Sequence, residues 1–144
     1  MNRPKYAAIL SEYFHHSHSD VIVGNFLKGF PTDDGLLPAR AQIVSIVELD
    51  RHVGGPLLTK WGNHYLVGGR KSLGGAPAVT SLYELIGDQL QEIAEFPSGG
   101  DNSYSGFVEL SPTEGLPSYY SSHEGSGTSL APSAIYLVKL SLNS

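Results

Sequence analysis

The sequence predicts a mainly β protein with a small α/β unit at its N-terminus: about two antiparallel, blade-like sheets preceded by one β-α-β unit. Three observations point there. Apolar residues recur at partly helical spacing up to residue 50 and alternate in short runs after it. The later runs are punctuated by Gly, Pro and Asn, the pattern of an antiparallel all-β module. Hydrophobic residues make up 40% of the 144 positions and charged residues 16%, so the chain has material for a core and too little charge for disorder. The period change divides it into a unit over 1–50 and a module over 51–144.

Tyr6 to Leu10 is a short apolar run of the buried-strand type. Ser17 or Ser19, followed by Asp20, offers an N-cap for a helix near 19–28, and Val21, Ile22, Phe26 and Leu27 fall at helical spacing before Gly29. Phe30 to Gly35 reads as a loop. Gln42 to Leu49 is a β-branched strand whose connection suits a right-handed parallel crossover. Beyond residue 50, Leu57–Trp61 and His64–Val67 flank Gly62-Asn63, a hairpin signal. Val79–Leu85 turns at Gly87-Asp88 and returns as Gln89–Phe96. A second set runs Tyr104–Leu110, Leu116–Tyr120 and Ala134–Leu140. One four-stranded meander (56–96) followed by three strands of another (104–142) suggests propeller blades.

Fourteen acidic and nine basic side chains give a net charge of -5, and no Lys/Arg stripe is present, which argues against a nucleic-acid partner. The absence of cysteine removes disulfides and Cys-based zinc sites without fixing the compartment. No signal peptide or membrane span is read, so no membrane partner is expected and a cytoplasmic location is the default. His15, His16 and His18 do not share one helical face, so no metal is expected, and no cofactor is implied. The Ser-rich 126–133 stretch lacks the GxSxG elbow of a serine hydrolase.

The densest polar chemistry lies between Ser98 and Glu124, in two loops one strand apart. Ser98-Gly99-Gly100-Asp101-Asn102-Ser103-Tyr104 supplies a carboxylate and a phenol. Ser118-Tyr119-Tyr120-Ser121-Ser122-His123-Glu124 supplies two phenols, an imidazole and a second carboxylate. Alternation sends Tyr119 and Tyr120 to opposite faces, so at most one belongs to a site and the other is core. Asp101 either bonds its own turn or faces a ligand. Glu124 either tunes a nearby tyrosine, binds a sugar hydroxyl or sits in a solvated turn.

With Arg51-His52-Val53-Gly54-Gly55-Pro56, Tyr65 to Arg70 and Thr80 to Leu85, these pieces resemble the sialidase-like (BNR-type) β-propeller family over residues 51–142. The resemblance covers about two of that family's five or six blades and implies a carbohydrate-directed site. It assigns catalytic roles to Tyr120, Glu124 and Asp101 and substrate-binding roles to Arg70, Tyr104 and His123. The chain holds only Arg3, Arg40, Arg51 and Arg70, so binding is expected in place of efficient hydrolysis. The alternatives are a non-catalytic assembly module or a folded remnant. Residues 6–48 resemble the first β-α-β unit of a Rossmann-like domain, but no GxGxxG follows the first strand and no dinucleotide is implied. Pro117 is expected to weaken its strand or confine it to an edge. Two blades cannot close a ring, which leaves two outcomes open. Three chains complete six blades, with 42–49 as the missing fourth strand, or the 6–49 unit caps a monomer.

Overall fold

A computed structural model of the protein describes residues 3–72, 77–124 and 132–142. The chain divides into two compact units, Met1–Arg51 and His52–Ser144. Residues 126–131 of the Ser-rich stretch lie outside the described residues.

In the first unit, β1 (Lys5–Leu10) pairs in parallel with β4 (Gln42–Glu48). Between them the chain forms α1 (His18–Lys28) and a hairpin of β2 (Phe30–Thr32) and β3 (Gly35–Leu37). Ser17 is the N-cap: its Oγ accepts from the Asp20 N–H at 3.1 Å. Asp20 adds a second clasp, accepting from the His16 N–H at 3.0 Å and the Tyr13 hydroxyl at 3.2 Å. Gly29 ends the helix at φ 111, a conformation that side-chain-bearing residues rarely adopt. The hairpin corrects the loop expected over 30–35. Within this unit β4 pairs with β1 in a two-stranded parallel sheet.

The second unit is two antiparallel sheets packed face to face. The first is a meander of β5 (Gly54–Trp61), β6 (His64–Lys71), β7 (Val79–Ile86) and β8 (Gln89–Phe96), in that order. The turns fall at Gly62-Asn63 and Gly87-Asp88, where turn chemistry puts them. In the second sheet β10 (Glu114–Ser121) is central. On one side it pairs with β9 (Asn102–Ser111), and on the other with β11 (Ala134–Leu137) and β12 (Leu140–Ser141). Neither sheet closes into a barrel.

Pro117 stands in this central strand, fully buried and opposite Phe107, so the expectation of an edge position is corrected. Its carbonyl accepts from the Val138 N–H at 3.0 Å, which shows that its backbone polar groups face β11 and β12. A residue there with an N–H would return the bond; proline cannot. The strand expected over 134–140 accordingly breaks at Val138-Lys139, opposite Pro117.

The core lies between the sheets. Trp61, Leu66, Leu82, Phe96 and Tyr119 are buried together, with Phe107, Tyr136, Val138 and Leu140 packed against them. Tyr119 stacks on Phe96 and Tyr136, with centroids 5.3 and 5.4 Å away. The Trp61 ring tilts against Phe107, and its indole N–H donates to the Ser111 carbonyl at 2.9 Å. Each aromatic contact ties one sheet to the other or one strand to its neighbour, in geometries favoured by ring quadrupoles. Leu66, Leu82 and Phe107 pack here, whereas Ile135 and Leu137 stay exposed.

Candidate functional site

Antiparallel pairing brings the starts of β5, β7 and β9 and the ends of β6 and β10 to one end of the second unit. Asn102 bolts the two sheets together there. It is fully buried; its Nδ2 donates to the Ala78 carbonyl at 2.8 Å and to the Gly100 carbonyl at 3.2 Å, and its Oδ1 accepts from Thr80 Oγ1 at 3.1 Å. Gly55 at φ 57 admits a close approach on the other side, where a Cβ would clash with Ser103 Oγ. These two contacts fix the residues on either side of Asn102 and Ser103, namely Asp101 and Tyr104.

Between Ser103 and Gly106, two residues of β9, Tyr104 and Ser105, oppose the single Tyr119 of β10. This bulge re-aims a side chain, a device frequent beside functional sites. Tyr104 sits in it at φ 49 and is 76% exposed. A tyrosine in the left-handed region is an uncommon and strained choice, one that clusters at functional positions. Its ring lies 6.0 Å from that of Tyr120, inclined by 29°. The Tyr120 hydroxyl donates to Asp101 Oδ1 at 2.8 Å. Burial, then the bond to Asp101 and its charge, raise the Tyr120 pKa, while the Arg70 guanidinium pulls it down. Arg70 thus stands within electrostatic reach, its guanidinium lying along Gly54.

The structure therefore joins Asp101, Tyr104 and Tyr120, with Arg70 near. Glu124 goes elsewhere. Its partner is Tyr136, whose pKa rises through burial and then through the bond to Glu124 and its charge. Tyr136 pairs with Tyr119 across the strands and so faces the core side of the sheet, opposite Tyr120. Of the alternatives open to Glu124 the structure takes the nearby tyrosine, and that tyrosine is Tyr136: the pairs are Tyr120–Asp101 and Tyr136–Glu124, on opposite faces. His123 belongs with the second: its ring is 4.7 Å from that of Tyr136, and Nδ1 is 2.9 Å from Ser121 Oγ. Ser121 is itself buried, accepting from the Gly99 N–H at 3.0 Å, so it acts as a structural clasp. Tyr119 is the core partner that alternation requires, its hydroxyl donating to the Pro97 carbonyl at 2.8 Å. Sequence reasoning passed over Tyr136 and Asn102. Alternation in Ala134–Leu137 does set Tyr136 apart from Ile135 and Leu137, but only strand pairing reveals its partner.

Raised phenol pKa values mean that Tyr119, Tyr120 and Tyr136 act near neutral pH as hydroxyl donors. They also set a pH dependence. A tyrosine raised above its ordinary 10.0 stabilises the fold fully below pH 10, and that contribution is lost as pH rises through the folded-state value. Lys71, bonded to Glu92 at 2.7 Å and to Glu95, is pushed up to about 12 and acts in the same direction between 10.5 and about 12. Stability is therefore expected to hold up to about pH 10 and to fall steadily above it, as followed by denaturant midpoints. Absorbance titration of the phenols should show one moving to lower pH in Asp101→Asn; an unchanged curve would contradict the Asp101–Tyr120 bond.

Among the described residues no group of three or more His, Asp and Glu is placed to hold a metal ion, and no helix is long and apolar enough to cross a membrane. Comparison with models of known protein families, with curated proteins and with solved structures finds no match to this chain.

Proposed function

We propose that the second unit is a carbohydrate-directed module of two sialidase-like, propeller-type blades, which binds a sugar in preference to hydrolysing it. The observation that carries this reading is Tyr104, strained, exposed and held beside the Tyr120–Asp101 pair. An exposed ring presents a flat apolar surface to the C–H face of a pyranose, while Asp101 and the Tyr120 oxygen accept from sugar hydroxyls and Arg70 donates. A few convergent polar groups around an aromatic anchor are the ordinary make-up of a small-ligand site. The first unit, with its parallel β1 and β4 and intervening α1, is read as the opening β-α-β of a Rossmann-like fold without a dinucleotide loop.

Hydrolysis of the sialidase kind would need a tyrosine nucleophile activated by one carboxylate, with a second carboxyl group as the acid, at one scissile bond. Asp101 and Glu124 each bind a different tyrosine, on opposite faces of the sheet, and both phenols are held protonated and so are poor nucleophiles. Titration calorimetry against a panel of mono- and oligosaccharides tests the reading. Binding is expected for the native chain and a loss of about tenfold or more for Tyr104→Ala, the size of a modest hot spot, about 1.4 kcal/mol. A fluorogenic glycoside should show no turnover. Turnover abolished by both Tyr120→Phe and Glu124→Gln would replace binding by catalysis, and no binding to any saccharide would end the carbohydrate reading.

A further inference from the structure

Ser121 Oγ, fully buried at the end of β10, is the crossing point of four contacts. The Gly99 N–H donates to it at 3.0 Å and the His123 N–H at 3.3 Å, which occupies both of its lone pairs. A hydroxyl has one proton, and two acceptors claim it: the Gly99 carbonyl at 3.0 Å and His123 Nδ1 at 2.9 Å. A neutral imidazole with its proton on Nε2 accepts the Ser121 proton at Nδ1, and the Gly99 carbonyl loses it. An imidazolium carries a proton on Nδ1 and donates to Ser121 instead. That charge-assisted bond displaces the longest contact, the one from the His123 N–H, and turns the hydroxyl proton onto the Gly99 carbonyl. Ser121 then grips both peptide groups of Gly99.

Gly99 leads directly to the site. The Ser122 N–H donates to the Gly99 and Asp101 carbonyls at 3.2 and 3.0 Å, and Ser122 Oγ donates to the Asp101 carbonyl at 3.2 Å. The Asp101 carboxylate in turn holds the Tyr120 hydroxyl. Adjoining bonds thus run from the imidazole through Ser121 to the Gly99–Asp101 segment. Facing His123 are the Tyr136 ring on β11, 4.7 Å away, and the Glu124 carboxylate, next in the chain and bonded to that phenol. Tyr119 stacks on Tyr136 from β10, and the one ionisable group on the Gly99 turn is Asp101. None of these groups repels an imidazolium.

We propose that His123 is a proton-operated positioning residue. Once protonated, it drives the Ser121 hydroxyl onto the Gly99 carbonyl and clamps the Gly99–Asp101 segment, so the site end is firmer in mild acid. Imidazoles change charge between about pH 5 and 8, above the range of ordinary carboxylates. The clamp acts on this end whether or not it takes a sugar.

Backbone and imidazole NMR signals of the whole chain, followed from about pH 8 to about pH 5, test it. In the native chain the His123 ring and the Gly99 and Asp101 backbone signals are expected to shift with one common midpoint. The Gly99 carbonyl carbon should move downfield as pH falls, the direction of a gained hydrogen bond. In Ser121→Ala the His123 ring should still titrate, while the shift at Gly99 and Asp101 is lost. His123→Gln, at a half-buried position, should lose that shift with unchanged circular dichroism. The remaining histidines stay in place in both variants, so a persisting step would belong to one of them. Gly99 and Asp101 signals that stay still across this range, a midpoint different from that of the His123 ring, or an upfield Gly99 carbonyl would overturn the proposal. So would a step that survives either substitution.

Discussion

Asn102→Asp is expected to unfold the site end of the second unit at neutral pH, although it changes one NH2 group to oxygen. The Nδ2 of Asn102 donates to two carbonyls, those of Ala78 and Gly100, in a fully buried position. A carboxylate there would face both oxygens with no proton to offer, and a buried charge without a partner costs about 3–5 kcal/mol. Its pKa would be raised by burial and by the carbonyls. The sign follows: the variant is most stable below the ordinary carboxylate range and loses stability as pH rises through the raised value. Thermal unfolding of native and variant chains at pH 4 and pH 8 measures this. A deficit no larger at pH 8 than at pH 4 would mean that Asn102 is not oriented as described. The sugar binding proposed for this end should vanish with its fold, because Asp101 and Tyr104 flank the altered residue.

Trp61→Ala is the second large effect. The ring is 1% exposed, packs on Phe107 and satisfies the Ser111 carbonyl. Removing a buried Trp leaves a cavity that its neighbours fill only in part, at a cost of about 3–5 kcal/mol. At about 4–8 °C per kcal/mol for a unit of this size, melting should fall by more than about 10 °C. Trp61→Phe keeps most of the packing and strands only the Ser111 carbonyl, a loss of about 1–3 kcal/mol. Trp61 is the only tryptophan, so circular dichroism, not its fluorescence, is the readout. Equal losses in the two variants would assign the stability to the hydrogen bond and not to packing.

Local chemistry explains what was legible beforehand. Ser17 caps its helix by a bond three residues long, and Gly62-Asn63 and Gly87-Asp88 turn two strands that alternate on either side. Signals of that range are written in adjacent residues. The hairpin of β2 and β3 was hidden because each strand has three residues and one contains Pro31, which reads as a breaker. The break at Val138-Lys139 was hidden because its cause, Pro117, lies across the sheet. The site was half legible: Asp101, Tyr104 and Tyr120 are three of the six residues to which the sequence assigns catalytic or binding roles, and strand pairing joins them while it sends His123 and Glu124 to Tyr136. Assigning Glu124 to Tyr136 needed the register of β10 against β11, which no spacing in the sequence encodes.

The interrupted third strand of the second sheet has a bearing on the life of this chain at high concentration. An outermost strand with a continuous row of free N–H and C=O groups is a template on which foreign strands grow, the first step toward fibrils. Here that border is split into pieces of four and two residues, and among the described residues no other strand lies beyond it. An incoming segment finds too few aligned groups in either piece to hold its register. Pro117 thus gives up one hydrogen bond inside the sheet and, on the neighbouring strand, blunts the margin where runaway polymerisation would begin.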